Sequence, residues 1–179
     1  PSMACKAWQM LALKKAGIEV PKTVYGSLWY LYEIMQGSRQ RNFASGESAE
    51  QAARRELHEE LGVALPDDAV LGRLDDYRTR SGFVITPVVM WSDGQLDFVP
   101  DPVEVAHAYR VGIHELFRPG SPRFTSIPES DRPVVQLLMS REIVHAPTAA
   151  VLLQFRWVAI EGRLGERVHH LEQPVFAWR

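Results

Sequence analysis

The sequence predicts an α/β domain with a mixed β-sheet. Three observations support this fold class: a well-capped helix at 48–61, two β-branched runs at 70–74 and 83–91, and an apolar helical stretch at 147–160. The 179 residues are enough for one domain with a full-sized core. Because no repeat or domain boundary interrupts the chain, we expect residues 1–179 to form a single domain.

The first 45 residues are the part of the sequence that this fold explains least. Residues 4–16 contain helix formers and end at Gly17, which is a suitable C-cap. Residues 23–35 are aromatic and aliphatic, which is compatible with a buried strand pair or with a helix, since their periodicity does not distinguish the two. Residues 37–45 are polar and basic and indicate a loop.

The helix at 48–61 is the clearest element of the chain. Ser48 is a good N-cap residue, and Gln51 three positions later completes a capping box. Gly62 is the expected C-cap, and Pro66 prevents the helix from continuing. The sequence therefore predicts both ends of this helix.

The rest of the chain alternates between strand-like and loop-like segments. We expect a turn at 92–94 followed by a strand at 95–99, then another short strand at 108–111. Residues 113–117 suggest a helical turn, closed by Pro119-Gly120. Residues 121–133 are rich in proline and serine and predict a loop before the helix at 147–160.

Composition excludes several classes of protein. The net charge of -2 argues against a nucleic-acid binder, which usually carries a strongly basic face. Cys5 is the only cysteine, so no intramolecular disulfide can form, as is typical of the reducing cytosol. No apolar run approaches the ~20 residues of a membrane span, and no signal-peptide core is present. We therefore expect a cytoplasmic protein with no membrane partner.

The acidic residues of the 48–61 helix point to chemistry. At ~100° per residue, Glu56, Glu59 and Glu60 fall within an arc of roughly 100° that also includes small alanines. Carboxylates at i,i+4 repel one another, and a hard divalent cation such as Mg²⁺ or Mn²⁺ would cancel that repulsion. On composition alone, the alternative is a solvated surface helix with an Arg55–Glu59 ion pair.

The order of the residues distinguishes these two interpretations. Glu47 is followed by seven residues and then by Arg55-Glu56-Leu57, Glu59-Glu60 and Gly62-Val63. This order resembles the Nudix box, G-x5-E-x7-R-E-U-x-E-E-x-G-U, in which U is aliphatic. The one departure is Arg41, which stands where the box opens on a glycine.

The resemblance implies a Nudix-like α/β/α sandwich that hydrolyses nucleoside diphosphates linked to another moiety, with Mg²⁺ or Mn²⁺ as cofactor. Carried over by position, Glu56, Glu59 and Glu60 correspond to metal ligands and Glu47 to a supporting ligand. Glu56 also corresponds to the residue that orients or deprotonates the attacking water, and Arg55 to one that positions a carboxylate.

A weaker resemblance extends downstream to the coenzyme A diphosphatase branch of this family. It rests on residues 81–89, 102–105 and 109–111, and it makes Glu104 an additional acidic candidate for catalysis. We therefore expect a diphosphatase for a small nucleotide-derived substrate such as coenzyme A or acyl-CoA. The alternatives are a nucleotide-sugar or dinucleotide diphosphatase, or a non-catalytic nucleotide-sensing module. The oligomeric state stays open, with a homodimer as one option.

Overall fold

The computed structural model describes residues 28–36, 46–92, 96–103, 105, 108, 110–139 and 142–178. The chain divides into two compact units. The first unit comprises Lys22–Asp76 and Gly82–Arg110, and the second comprises Tyr77–Ser81 and Val111–Arg179 together with Pro1–Pro21. A single domain over residues 1–179 stays a prediction. The helix expected at 4–16, the loop at 37–45 and the turn at 93–94 lie outside the described residues.

Helix α1 (Ala49–Leu61) of the first unit begins and ends where the sequence predicts. The Ser48 hydroxyl accepts a hydrogen bond from the Gln51 N–H at 3.2 Å, and the Gln51 side chain accepts one from the Ser48 N–H at 2.8 Å. These bonds satisfy donors that the first helical turn leaves without intrahelical partners. Gly62 ends the helix in the left-handed conformation at φ 67°.

The sheet of the first unit is built around one long central strand. Strand β4 (Val84–Ser92) lies between β1 (Leu28–Gln36) and β2 (Val70–Arg73) and runs antiparallel to both. Residues 85–91 are buried, which explains why the run is apolar throughout instead of alternating. The strands predicted at 70–74 and 83–91 are confirmed. Of the 23–35 stretch, the part from Leu28 onward belongs to a single strand.

One face of α1 packs against this sheet. Its buried residues are alanines and a leucine, which join apolar residues of the following loop and of β4. The members of this core are Ala49, Ala52, Ala53, Leu57, Val63, Leu65, Ala69, Val88 and Met90. The small alanines allow the helix to approach the sheet closely.

Two predicted strands of the first unit are wrong. Residues 96–99, within the strand expected at 95–99, have no regular secondary structure. The Val99 N–H donates to the Leu61 carbonyl at 2.9 Å, and the Asp101 N–H donates to the Glu60 carbonyl at 2.8 Å. The backbone of this segment therefore binds the end of a helix instead of a neighbouring strand.

The short strand expected at 108–111 is also wrong at its described positions, residues 108, 110 and 111. The guanidinium of Arg110 lies over the Phe98 ring, 4.6 Å from its centroid, and also donates to the Leu96 carbonyl. Arg110 therefore packs on a neighbouring loop through its side chain. The sequence pattern alone does not distinguish such packing from strand pairing.

The second unit combines a three-stranded antiparallel sheet with a buried helix. Strand β6 (Ser130–Leu138) lies between β5 (Arg123–Ile127) and β7 (Ile143–His145). Helix α2 (Thr148–Phe155) packs against β6 and β7 and continues as a π-helix over Arg156–Ile160. The helix predicted at 147–160 is therefore confirmed, and so is the helical turn at Ile113–Phe117, here a 3₁₀ helix. A two-residue strand β3 (Tyr77–Arg78) also belongs to this unit.

The loop predicted at 121–133 is wrong, because it contains β5 and the first part of β6. Thr125 pairs with Val134 and Ile127 with Ser130, so the register shifts between these two pairs. Pro133 falls in that irregularity, where a residue without an N–H costs no ladder hydrogen bond. The proline therefore marks a bulge inside a hairpin and not a loop.

A buried carboxylate joins distant segments of the second unit. Glu172 is 1% exposed and accepts hydrogen bonds from the Arg80 guanidinium, from the Ser130 hydroxyl at 2.8 Å and from the Gln173 N–H at 2.9 Å. Next to it, the buried Tyr77 hydroxyl donates to the Leu171 carbonyl at 3.1 Å. We call this arrangement the Glu172 clamp.

The fold class predicted from the sequence, α/β, is confirmed. The ladders of β4 with β1 and β2, and of β6 with β5 and β7, are antiparallel, so the mixed sheet that the sequence predicts does not appear in these ladders. One isolated parallel bridge joins Val134 to Glu172. In the described parts of the chain, no helix is both long enough and apolar enough to cross a membrane.

Candidate functional site

The predicted acidic residues surround the guanidinium of Arg55. Arg55 Nε donates to Glu47 Oε1 at 3.1 Å, and Nη2 donates to Glu47 Oε2 at 3.2 Å. This two-point geometry is the strong form of an arginine–carboxylate pair. It fixes Glu47, which precedes the helix and is only 13% exposed, against the second turn of α1.

The same guanidinium contacts two further carboxylates. Arg55 Nη1 lies 2.8 Å from Glu56 Oε1 and 2.7 Å from Glu59 Oε2. The hydrogen bond with Glu47 raises the pKa of Arg55, burial opposes that rise, and Glu56 and Glu59 add to it. We call these four residues the Arg55 cluster. Its guanidinium stays charged at any working pH.

The acidic face of α1, formed by Glu56, Glu59 and Glu60, extends the buried alanine stripe. Glu56 follows Ala52 and Ala53 along the helix and is only 15% exposed, and Glu60 is half-buried one turn later. Glu59 is 52% exposed. The residues on this face therefore change from alanine to glutamate where the helix extends beyond the core. Burial of this kind makes an excess of like charges costly.

The Arg55–Glu59 pair at i,i+4 is the contact that a simple surface helix would also show. However, a solvated helix does not account for the low exposure of Glu47 and Glu56. Both carboxylates lie at the edge of the core and share one positive charge. The structure therefore contains the i,i+4 ion pair of a surface helix. It also contains a partly buried cluster of carboxylates, which the surface-helix alternative does not require.

The chemistry of these side chains fits a hard divalent cation. Glu47, Glu56, Glu59 and Glu60 offer carboxylate oxygens, which Mg²⁺ and Mn²⁺ prefer, and Arg55 offsets only part of their charge. Among the described residues, no three acidic, histidine or cysteine side chains are gathered so that they could hold a metal as they stand. Three of the carboxylates contact Arg55 instead.

Two residues that the sequence singles out lie outside the described part of the chain. They are Glu104, the additional catalytic candidate, and Arg41, which replaces the opening glycine of the box. Their assignments stay predictions.

A further residue near the acidic helix is Asp101, which the sequence did not single out. Its N–H binds the Glu60 carbonyl, and its side chain accepts a hydrogen bond from the Val103 N–H at 2.7 Å. The sequence Pro100-Asp101-Pro102 carries the signal, because aspartate between prolines is typical of a turn in which the side chain binds the backbone two residues on.

A comparison with models of protein families matches the NUDIX domain to residues 42–150, which is more than half of the chain. The chain belongs to the Nudix family. It is therefore a hydrolase that acts on phosphoric anhydrides. The match covers the whole run from Glu47 to Val63 that suggested this family, and both strands of the first unit that follow it. Neither the comparison with curated proteins nor the comparison with solved structures finds a match.

Proposed function

We propose that this Nudix hydrolase cleaves a diphosphate bond in a nucleoside diphosphate derivative with the help of Mg²⁺ or Mn²⁺. Glu56, Glu59 and Glu60 would hold the metal, and Glu47 would support them. The observation that carries the proposal is the excess of partly buried carboxylates over positive charge at the Arg55 cluster. The family match supplies the class of bond, a phosphoric anhydride.

Glu56 and Arg55 have different roles in this proposal. Glu56 would orient and deprotonate the attacking water, which is the role that the Nudix pattern gives to this position. Arg55 positions carboxylates: its fork fixes Glu47 at two points and contacts Glu56 at a third. A bound divalent metal would supply an activated water and offset the charge on the diphosphate oxygens.

Within this class, coenzyme A or an acyl-CoA is the substrate that the downstream resemblance favours. The resemblance includes Thr86, whose hydroxyl donates to Asp76 at 2.7 Å and which is buried in β4. This contact gives Thr86 a structural role in the strand, so it adds no substrate contact. Nucleotide sugars and dinucleotides are therefore the substrates to test beside coenzyme A.

The test of the proposal is a substrate screen with each metal in turn. Coenzyme A, acyl-CoA, nucleotide sugars and dinucleotides are incubated with the protein, and phosphate is measured after phosphatase is added. Cleavage of the diphosphate exposes new phosphomonoesters that phosphatase can attack, whereas the intact diphosphate linkage is protected. Because coenzyme A already carries a 3′-phosphomonoester, release is counted above that from the same substrate with phosphatase alone. We expect metal-dependent release from at least one of these substrates. Binding of a substrate without any release would contradict the proposal and favour a sensing module.

Glu56→Gln is the variant that tests the catalytic assignment. It keeps the shape of the side chain but removes its charge and basicity, so we expect kcat to fall by at least ~10²-fold. The measurement is steady-state kinetics on the best substrate, beside a thermal melt. The matched control is Glu50→Gln on the same helix, because Glu50 pairs with Arg73 at 3.0 Å, away from the cluster. If Glu56→Gln keeps a normal kcat, the base lies elsewhere, and Glu104 is the next residue to replace.

A further inference from the structure

A row of three polar residues crosses the three-stranded sheet of the second unit. Gln136 on β6 is paired in the antiparallel register with Arg123 on β5 and with His145 on β7. Residues that face each other directly in antiparallel ladders lie on the same face of the sheet, with Cβ atoms about 4.5–5.5 Å apart. The three side chains are therefore neighbours on one face, and we call them the Gln136 row.

Two contacts hold the imidazole of His145 in this row. Gln136 Nε2 lies 3.4 Å from His145 Nδ1, and with the amide nitrogen as donor the neutral ring carries its proton on Nε2. The Phe176 ring also packs edge-on against the imidazole, with the two ring centroids 5.1 Å apart. Neither contact uses the His145 Nε2–H or the second amide N–H of Gln136, so both donors are left for another acceptor.

Arg123 adds a positive charge to the Gln136 row. Its side chain is exposed, and none of the residues that the structure describes forms an ion pair or a hydrogen bond with its guanidinium. Other arginines of the second unit are held by acceptors: Arg132 donates to the carbonyl of His169, and Arg156 pairs with Glu161. A guanidinium has five donors and no acceptor, and its planar fork matches the oxygens of a phosphate group.

No carboxylate competes for these donors among the strand residues that share the face with the row. Because side chains alternate along a strand, these residues are Thr125, Val134, Leu138 and Ile143. The face also exposes apolar surface, since 46% of Ile143 and 69% of Phe176 are accessible to solvent. An anion at the row would thus meet a cation and two neutral donors, beside an exposed aromatic ring.

We propose that Arg123, Gln136 and His145 form a binding site for a phosphate group. The guanidinium of Arg123 would bind two phosphate oxygens through its fork, and the Gln136 amide and the His145 Nε2–H would donate to the others. The Phe176 ring would lie beside the group that carries the phosphate. The site uses no residue of the Arg55 cluster, and it does not depend on the proposed function.

A purely structural role for Arg123 makes a different prediction. β5 is an edge strand of the three-stranded sheet, and a charge on an edge strand discourages pairing with another chain. That role requires neither Gln136 nor His145. Joint binding of one anion by all three residues therefore distinguishes a phosphate site from a protected sheet edge.

Titration with inorganic phosphate, followed by NMR of the histidine rings, tests the site. Chloride keeps the ionic strength constant, so that general screening does not contribute. The signals of His145 are assigned from their loss in His145→Gln, and in the wild type we expect them to shift and to saturate. In Arg123→Gln the Kd should rise by about tenfold or more, because hydrogen bonds from a charged group are lost.

Two further variants show whether the row acts as a unit. Gln136→Leu removes the amide at similar size and should raise the Kd for phosphate by about 2- to 10-fold. Arg167→Gln is the matched control, because it removes the same charge from the same unit, and its guanidinium donates to the carbonyls of Leu164 and Glu166 outside the sheet. We expect its Kd to equal that of the wild type. Thermal melts confirm that each variant is folded.

Three results would overturn the proposal. The first is that the His145 signals show no saturating shift. The second is an equal loss of affinity in Arg123→Gln and Arg167→Gln, since phosphate would then respond only to net charge. The third is an unchanged Kd in Gln136→Leu, which would remove the centre of the row from the site.

Adenosine 5′-phosphate distinguishes a nucleotide from the free anion as the source of the phosphate group. Neither probe contains a diphosphate bond, so neither is a substrate of the proposed reaction. If the ligand is a nucleotide, it should bind at least about fivefold more tightly than inorganic phosphate, because a base can stack on Phe176. Phe176→Leu, which keeps an apolar contact with His145, should remove this gain. Equal affinities would identify the free anion as the ligand. Binding of adenosine 5′-phosphate that Arg123→Gln does not weaken would overturn the site.

Discussion

Arg55 shows why the residue type matters at the cluster. A guanidinium presents several donors in one plane, so a single side chain can fix Glu47 at two points and still reach Glu56 and Glu59. A lysine offers a compact charge without this geometry. The arginine in the Nudix pattern is therefore the residue that organises the carboxylates.

Glu60→Gln tests the metal assignment at a single residue. The substitution keeps the size of the side chain and removes one anionic oxygen ligand, so we expect the Kd for Mg²⁺ or Mn²⁺ to rise by roughly tenfold or more. Isothermal titration calorimetry on the metal alone measures this directly. Glu50→Gln, whose partner is Arg73, removes the same charge from the same helix and should leave the Kd unchanged. Equal affinities for Glu60→Gln and the wild type would remove Glu60 from the set of ligands.

The acidic residues of the site could be predicted because they are contiguous in sequence. The spacing of Glu56, Glu59 and Glu60 on a helix fixes their relative directions, and the Nudix pattern adds Glu47 and Arg55. The shared contact with Arg55 could not be predicted in detail, since it depends on rotamers. Asp101 was missed because its contact with Glu60 uses the backbone N–H, which every non-proline residue has.

Among the secondary-structure elements, α1 was predicted accurately because its caps are local signals. Ser48 and Gln51 bind each other's backbone, so residues 48–51 alone determine where the helix begins. The failure at 95–99 has the opposite cause, because Val99 binds the carbonyl of Leu61, far earlier in the chain. The failure at 121–133 is local, because the proline that suggested a loop lies in the bulge of a hairpin.

Gly62→Ala tests the contact between the end of α1 and Val99. The new Cβ would be strained by the positive φ and would lie 3.1 Å from the Val99 Cβ, so that Val99 has to move slightly and the loss of stability should exceed the cost of φ alone. Gly82→Ala is the matched control, because Gly82 has φ +91° and no atom within 4 Å of the added Cβ. We expect Gly62→Ala to lower the free energy of unfolding by about 1 kcal/mol or more beyond the control. Urea unfolding of both variants gives the comparison, and equal losses would show that Val99 yields without cost.

At the scale of the whole molecule, the Glu172 clamp joins segments of the second unit that are far apart in sequence, since Arg80 and Glu172 are 92 residues apart. Burial by itself would raise the pKa of Glu172, but Arg80, the Gln173 N–H, Ser130 and Arg132 together lower it to about 2. An unfolded glutamate titrates near pH ~4.3. The carboxylate therefore stabilises the fold above that pH, and this contribution is lost as the pH falls toward 2.

Glu172→Gln should accordingly remove a pH-dependent part of the stability. At neutral pH we expect a loss of about 1.5–3 kcal/mol, the range for hydrogen bonds to a charged group. Glutamine does not titrate, so the difference from the wild type should shrink as the pH is lowered from 5 to 2. Denaturant unfolding across that range is the measurement. A difference that stays constant with pH would mean that the charge of Glu172 contributes nothing.

The Glu172 clamp also imposes an order on events during protein synthesis. Arg80 leaves the ribosome 92 residues before its carboxylate partner, and Ser130 leaves 42 residues before it. At ~5–20 residues per second, about 5–20 s pass between the synthesis of Arg80 and that of Glu172. The residues of α1 and β4 are all translated before residue 111, where the main part of the second unit begins. The acidic helix can thus form on the nascent chain while the second unit still lacks the residue that closes it.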